Sequence, residues 1–262
     1  KIHLSNKITN TDPAYENIKG IPHALEKFKM MIKKSQALED SKIARHSANL
    51  LNDFTKESYK VLKNHQLNKL RKKNKLPEAN IILSRDAGNK RPKFQAINKK
   101  YNKKWAILAD MPLEIGIGKF AGMRIIKIPH PTFSKADYTI RIEELVKNLN
   151  KADCFYIHIK GPDLYGHDGD YMGKIKCFED IDRYFFVPLF KILDKHIVLT
   201  VTADHCTPCN LKSHSGDPVP ILISGGNIKS DHLNGFNEKE CLNGSLGIIR
   251  GGSLMDSLMR LL

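Results

Sequence analysis

The sequence predicts an α/β fold in which a mostly parallel sheet carries helices on both faces, with a smaller α+β unit near the N-terminus. Three observations predict it. From Trp105 onward, short apolar runs bounded by turn residues alternate with stretches of helical periodicity, the pattern of βαβ units. Two of those apolar runs end in Asp and His residues, at the sheet edge where open α/β folds bind ligands. A lysine-rich stretch, Asn89 to Lys104, reads as a connector, so residues 1–104 and 105–262 are expected to form two units.

The elements follow in order. Residues 1–20 carry turn signals (Asn10-Thr-Asp12-Pro13, Gly20-Ile-Pro22) without strong periodicity, which predicts loop with at most a short strand. Ser41 is a helix N-cap, and Ala44, Leu51, Phe54, Val61 and Leu62 recur at helical spacing to about Lys63. Leu76-Pro77 breaks the chain, and Asn80 to Ser84 reads as a short strand delivering Arg85-Asp86-Ala-Gly88. A strand from Trp105 to Asp110, a short helix ending at Gly122 and a strand from Arg124 to Ile128 come next. Ser134-Lys-Ala-Asp137 has the form of a capping box and opens a helix through Ile140, Leu145, Val146 and Leu149. Asp153 to Ile159 is a strand. Ile175, Phe178, Ile181, Phe185, Leu189 and Ile192 trace a long helix, kinked or ended early by Pro188. Strands at Val198 and from Val219 to Ser224 precede a terminal helix, Ser253 to Leu262, expected to cover the sheet.

Composition narrows the function classes. The chain has 262 residues, 41% hydrophobic and 27% charged, ordinary values for a soluble globular protein. No apolar run approaches a membrane span and none resembles a signal peptide, so no membrane partner is expected. The net charge is +15, yet the Lys and Asn residues crowding Lys63–Asn74 and Asn98–Lys104 lack an aromatic ladder or a nucleic-acid motif. We therefore expect solvated lysine with an attraction for small anionic substrates, and no nucleic acid. Five cysteines, an odd number, point to a reducing, cytoplasmic compartment. Cys206-x-x-Cys209 has no second pair to complete a zinc ribbon, so these thiols are expected to line a turn. Beginning abruptly at Lys1 in polar sequence, the chain reads as a fragment or a processed chain.

The chemistry concentrates in two places. One apolar run ends at Asp204-His205, with His214 shortly after; another runs into Lys160-Gly-Pro-Asp163-Leu-Tyr-Gly166-His167. Asp163 and His167 stand four apart across a glycine-containing turn. Carboxylate oxygen with imidazole nitrogen suits Mn²⁺, Zn²⁺, Co²⁺ or Fe²⁺ better than Ca²⁺. A polar turn cluster without metal would not explain why both groups fall on one sheet edge. Asp168, Asp170 and Asp217 are candidates for a second ionic shell. Arg85 either binds a phosphate or carboxylate through its planar fork or pairs structurally with Asp86 or another acid. Lys160 and Lys174 are weaker candidates of the same kind.

The segments Tyr156-Ile-His158-Ile-Lys160-Gly-Pro-Asp163-Leu-Tyr-Gly-His167 and Thr202-Ala-Asp204-His205-Cys-Thr-Pro-Cys-Asn-Leu-Lys-Ser-His214 resemble the archaeal-type, cofactor-independent phosphoglycerate mutases of the alkaline phosphatase superfamily. The resemblance implies an alkaline phosphatase-like fold and an isomerase that moves a phosphoryl group between the 3- and 2-hydroxyls of glycerate through a phosphoserine. It implies two divalent ions, Mn²⁺ first, with Zn²⁺, Co²⁺ or Mg²⁺ as alternatives. One would be held by Asp163, His167 and His214, the other by Asp204 and His205. Residues 1–104 would be the remainder of a substrate lid, with Arg85 and Lys160 binding phosphoglycerate. The serine nucleophile and an N-terminal Asp ligand would lie ahead of Lys1, leaving no catalytic nucleophile in this chain. Cys206 departs from the pattern, where a small residue such as Ser or Gly is expected. A metal-dependent phosphatase or phosphodiesterase of the same superfamily is the alternative reading. A non-catalytic basic module that keeps the metal for stability is the third. The oligomeric state is left open.

Overall fold

The computed structural model describes residues 3–18, 21–25, 28–91 and 93–261. Gly20 and Leu262, invoked above in a turn signal and in the last helix, lie outside them. The chain divides into Lys1–Lys93 and Phe94–Leu262, so the division falls inside the expected connector and not at its end. The reason is a short helix within that connector. Ile97–Tyr101 belongs to the second unit because Asn98 accepts from the Trp105 amide and donates to the Gly122 carbonyl. No described helix is long and apolar enough to cross a membrane.

In the first unit, β1 (Tyr15–Ile18) pairs antiparallel with β2 (Ile21–Ala24). Helix α1 (Lys42–Lys63) starts where the sequence places it, the Ser41 hydroxyl accepting from the Ala44 amide at 3.0 Å. Its inward face, however, is made of small residues: Ala44, Ser47, Ala48 and Thr55 are buried, whereas Phe54 and Val61 are exposed. A second helix, α2 (Gln66–Lys73), was not expected. It is fixed by buried Asn68, whose amide donates to the Leu62 and Ala79 carbonyls and whose oxygen accepts from the Ala79 amide. Asn80–Ser84 is not a strand, in contrast to the sequence expectation. Among the described residues it is clasped at Ser84: the Thr11 and Asp12 amides donate to Ser84 O, and the Ser84 amide to Thr11 Oγ1.

The second unit opens with α3 (Ile97–Tyr101) and is built on a parallel sheet in the order β4 (Arg124–Lys127), β3 (Trp105–Ala109), β5 (Cys154–Ile157). Every residue of β3 is buried, as a central strand covered on both faces requires. On one face lies α4 (Pro112–Ala121), so close that a Cβ at Gly118 would meet Ile107 Cγ2 at 2.6 Å. Gly122, at φ 80°, closes that helix. On the other face, Ala106 and Leu108 pack with Ile126 against Tyr138 and Leu145 of α5 (Lys135–Asn148). The capping box of Ser134 and Asp137 is present. Asp110, directly after β3, forms a fully buried ion pair with Arg141 of α5.

After β5 come α6 (Pro162–Asp168) and α7 (Tyr171–Ile181), then a π-helical turn over Asp182–Phe186 and α8 (Val187–Ile192). The π turn is the structural answer to Pro188, which has no N–H to give a regular helix and whose ring would collide with the preceding turn. Ile181, Phe185 and Leu189 are buried against the sheet, while Ile175 and Phe178, expected on the same stripe, are exposed. The last two strands depart from expectation. β6 (Leu199–Val201) and β7 (Leu222–Ser224) pair antiparallel with each other in a separate two-stranded sheet. After α9 (Glu238–Cys241), α10 (Gly251–Met259) buries no residue. Its Asp256 accepts from Lys100 Nζ and the Tyr101 hydroxyl of α3, where the sequence reading had it covering the sheet.

Candidate metal centre

One wall of the centre is α6. The sequence reading of a turn here is corrected by a seven-residue helix with Pro162 at its start, where a missing N–H costs nothing. Gly161 precedes it at φ 143°, and a Cβ there would lie 2.7 Å from Cys177 Sγ. The helical repeat sets Asp163 and His167 on one face, because residues four apart are neighbours. The other wall is the connection between β6 and β7, where a single antiparallel bridge, Cys206 to Ser215, turns the chain back on itself. That bridge stacks the rings of His205 and His214, centroids 3.7 Å apart.

Thr207, buried and not singled out from the sequence, joins the two walls. Its hydroxyl donates to Asp163 Oδ1 at 2.7 Å. With its one proton committed, Thr207 Oγ1 can only accept from His205, so the 3.2 Å contact fixes the His205 proton on Nδ1. His167 is set in the same way, its Nδ1 donating to the Lys212 carbonyl at 3.1 Å. In the neutral form of either ring, Nε2 is therefore the atom with the bare lone pair. His167 Nε2 stands 3.2 Å from His214 Nε2 and 3.4 Å from Asp163 Oδ1. His205 Nε2 stands 3.3 Å from Asp204 Oδ2. The donor atoms of Asp163, His205 and His214 all lie within 4.8 Å of one another. Lone pairs and carboxylate oxygens converging at these distances repel unless a proton or a cation lies among them, so the donor set fits a divalent ion.

The ionisation states agree with that fit. Burial pushes the His214 pKa below its ordinary value and the charge of His205 adds to the effect, against an opposing pull from Asp163, so its imidazole favours the neutral, ligating form. Burial alone would raise the pKa of Asp163, but the Thr207 hydroxyl with the charges of His167, Lys160 and His205 outweighs it, and the net shift is downward.

All five sequence-predicted ligands, Asp163, His167, His214, Asp204 and His205, thus meet in one contiguous cluster. The tightest trio is Asp163, His167 and His214, the set that the resemblance gives to one ion, with separations of 3.4, 3.6 and 3.2 Å, and His205 of the other set comes within 4.8 Å of Asp163 and His214. Lys160 adjoins the trio, Nζ 3.5 Å from Asp163 Oδ2. Lys174 does not face a ligand; its Nζ donates to the Thr207 carbonyl at 2.8 Å and anchors the wall. Asp170 caps α7 by accepting from the Gly173 amide at 2.9 Å, and Asp217 accepts from the Ser215 hydroxyl at 2.6 Å. Cys206 and Cys209 are free thiols facing the Pro218 and Tyr165 carbonyls, lining the loop. Arg85 stands in the first unit, its guanidinium carbon 3.7 Å from the centre of the Tyr15 ring. The alternative, an ion pair with Asp86 or another acid, is not found among the described residues; Asp86 accepts from Asn17 Nδ2.

A family model described as the Metalloenzyme superfamily matches residues 7–261. The chain belongs to the Metalloenzyme superfamily. Its α/β fold, with a parallel sheet and flanking helices, is the alkaline phosphatase-like architecture that the two motifs imply. Within the superfamily, the chain is 40% identical over 257 residues to a 2,3-bisphosphoglycerate-independent phosphoglycerate mutase of Aeropyrum pernix, an alignment covering 95% of this chain and 60% of that protein. It is 34% identical over 259 residues to the corresponding mutase 1 of Methanocaldococcus jannaschii, covering 98% and 60%. Among solved structures, the PH0037 protein of Pyrococcus horikoshii superposes with a TM-score of 0.69 at 30% identity, over 83% of this chain and 57% of that one. The chain therefore spans about three fifths of the length of the curated relatives it matches.

Proposed function

We propose that this chain is the metal-binding portion of a phosphoglycerate mutase that works without 2,3-bisphosphoglycerate and interconverts 3- and 2-phosphoglycerate. The observation that carries the reading is the convergence of Asp163, His167, His214, Asp204 and His205, with ring tautomers fixed by Thr207 and the Lys212 carbonyl, in a chain whose relatives bear that name. In this reading Asp163, His167 and His214 hold one ion and Asp204 and His205 help to hold a second, Mn²⁺ being the first choice. When bound, two such ions neutralise charge on the phosphoryl oxygens and on the attacking and leaving oxygens of an in-line transfer.

The chain's own residues do the rest. Asp163 and the imidazoles present preset lone pairs, so little reorganisation accompanies loading. Lys160, beside Asp163, adds positive charge on the side from which an anionic substrate approaches. Arg85, stacked on Tyr15, offers its fork to the substrate carboxylate, holding glycerate while it reorients. In this reading the first unit, which ends at Lys93, acts as the substrate lid, and a cytoplasmic setting goes with a phosphorylated three-carbon acid. A phosphatase or phosphodiesterase would use the same ligands but deliver the phosphoryl group to water.

The test is made on the whole gene product loaded with Mn²⁺. It should form 2-phosphoglycerate from 3-phosphoglycerate without added bisphosphoglycerate and release little inorganic phosphate, with Arg85→Ala slowing isomerisation and raising the fraction lost to water. Phosphate release as fast as isomerisation would establish the phosphatase. Tight metal with neither product would establish the binding module.

A further inference from the structure

We infer that the surface formed by the end of α1 and by α2 is a docking face for an anionic lipid bilayer. Between residues 56 and 75 the chain carries eight Lys and Arg against the single acid Glu57, close to half of its net charge of +15. Lys60 and Lys63 occupy the last turn of α1, and Arg71, Lys72 and Lys73 that of α2. One or two cations at each helix end complement the negative end of the helix dipole, so the remainder is surplus. Lys60 is neutralised by Glu57 at 2.7 Å. Among the described residues Lys69, Lys72, Lys73 and Lys75 have no acidic partner.

Apolar side chains are set among these charges. Val61 is 67% exposed, Leu67 62%, Leu70 53% and Leu76 50%. Asn68 is the buried position of α2, and at 100° per residue Leu70 and Lys73 then point away from the unit, with Leu67 and Lys69 on the flanks. The outward face of α2 thus alternates leucine with lysine. Such a face matches a headgroup boundary, where cations meet lipid phosphates and leucines enter the acyl region.

Two other polyanions fit less well. Single-stranded nucleic acid is held by aromatic stacking, and Tyr59 is the one aromatic between 56 and 76. An acidic peptide helix needs a groove for its apolar anchors, whereas these four residues are exposed and line neither the cavity beside Phe54 nor the one beside Arg45. A fluid bilayer needs no groove. The inference adds surface adsorption to a chain in which no described helix is long and apolar enough to cross a membrane, and is independent of the phosphoryl-transfer reading.

The test is co-sedimentation of the 262-residue protein with vesicles of phosphatidylcholine alone or with about one third phosphatidylserine, with a single-stranded RNA oligonucleotide and polyglutamate assayed in parallel. We expect binding to the serine-containing vesicles only, weakened at least about tenfold by Lys69→Glu/Lys72→Glu/Lys73→Glu, since each cation near the surface contributes separately. Leu67→Ser/Leu70→Ser should weaken it several-fold, and raising salt from about 0.1 to 0.5 M should disperse it. All five positions are exposed, and a circular dichroism melt verifies folding of each variant. No binding to anionic vesicles, binding indifferent to charge reversal or to leucine removal, or capture of RNA or polyglutamate but not vesicles would each overturn the proposal.

Discussion

Gly166→Ala is the sharpest probe of the metal centre, because it touches none of the five ligands. A Cβ at that position would lie 2.4 Å from the Thr207 carbonyl oxygen, 2.8 Å from its Cγ2 and 2.9 Å from its Cβ. Since real Cβ atoms essentially never approach closer than 3.0 Å, α6 and the Thr207 loop must separate by at least about 0.6 Å. That exceeds the roughly 0.5 Å within which a ligand set must be held. The alanine gains about 0.5–1 kcal/mol of helix preference, while overpacking of this kind costs about 1–3 kcal/mol, so net stability should fall by up to about 2.5 kcal/mol. The larger effect should be on metal, because Thr207 orients both Asp163 and His205, and loss of such supporting contacts typically weakens affinity about 10- to 100-fold. Isothermal titration with Mn²⁺ and metal-free thermal melts separate the two effects. Thr207→Val, which keeps the shape and removes the hydroxyl, should lower affinity without the steric shift. Gly116→Ala in α4, where a Cβ meets nothing within 4 Å, is the control and should be neutral or stabilising. If Gly166→Ala binds Mn²⁺ as the parent does and melts at the same temperature, the coupling of the two walls through Thr207 is wrong.

The pH dependence should follow from His214. Its folded pKa lies below 6.5, so the unfolded chain binds the proton first as pH falls, and the metal-free fold keeps this contribution above about pH 6.5 and loses it below. Melts of chelated protein between pH 7.5 and 5 should show that decline, and a flat profile would contradict the burial of a neutral imidazole. Elsewhere, Arg141→Met should destabilise by about 3–5 kcal/mol in urea titrations by stranding the buried Asp110 carboxylate, with Asp110→Leu added on top recovering most of it. A loss below about 1 kcal/mol would show that the carboxylate is not stranded.

What was legible in the sequence had local causes. Ser41, the Ser134/Asp137 box and Gly122 set helix ends through bonds that span three or four residues, and β3 is a continuous apolar run because both its faces are covered. What was not legible depends on distant partners. Nothing near Asn80–Ser84 reveals that Ser84 will bond to Thr11 and not enter a ladder. The pairing of β6 with β7 is chosen across a twenty-residue connection, Thr202 to Ile221, whose turn signals at Pro208 and Ser215-Gly216-Asp217-Pro218 do not say which strands they join. Both ligand clusters were visible as residue types, but the approach of His205 to the donors of Asp163 and His214 was not, since it arises from the bridge of Cys206 to Ser215. Thr207 gave only a weak signal, a hydroxyl two residues after a candidate ligand. In α1 the small residues turn inward where large ones were expected, because the N-terminal segment packs tightly enough for the Ser5 amide to reach Ser47 Oγ at 2.9 Å.

The two walls of the centre hang from ladders that share no strand. α6 follows β5 of the three-stranded sheet, and the Asp204 to His214 loop joins the strands of the two-stranded one. A two-stranded ribbon is marginal alone, whereas β3 sits in a covered core. The protein should therefore breathe unevenly, with the amides of Thr200 and Ile223 trading their hydrogens for deuterium long before that of Ile107. Any ion held by residues of both walls acts as a rivet between a loose ribbon and a firm slab, and part of its binding free energy appears as slower exchange in strands that touch no ligand.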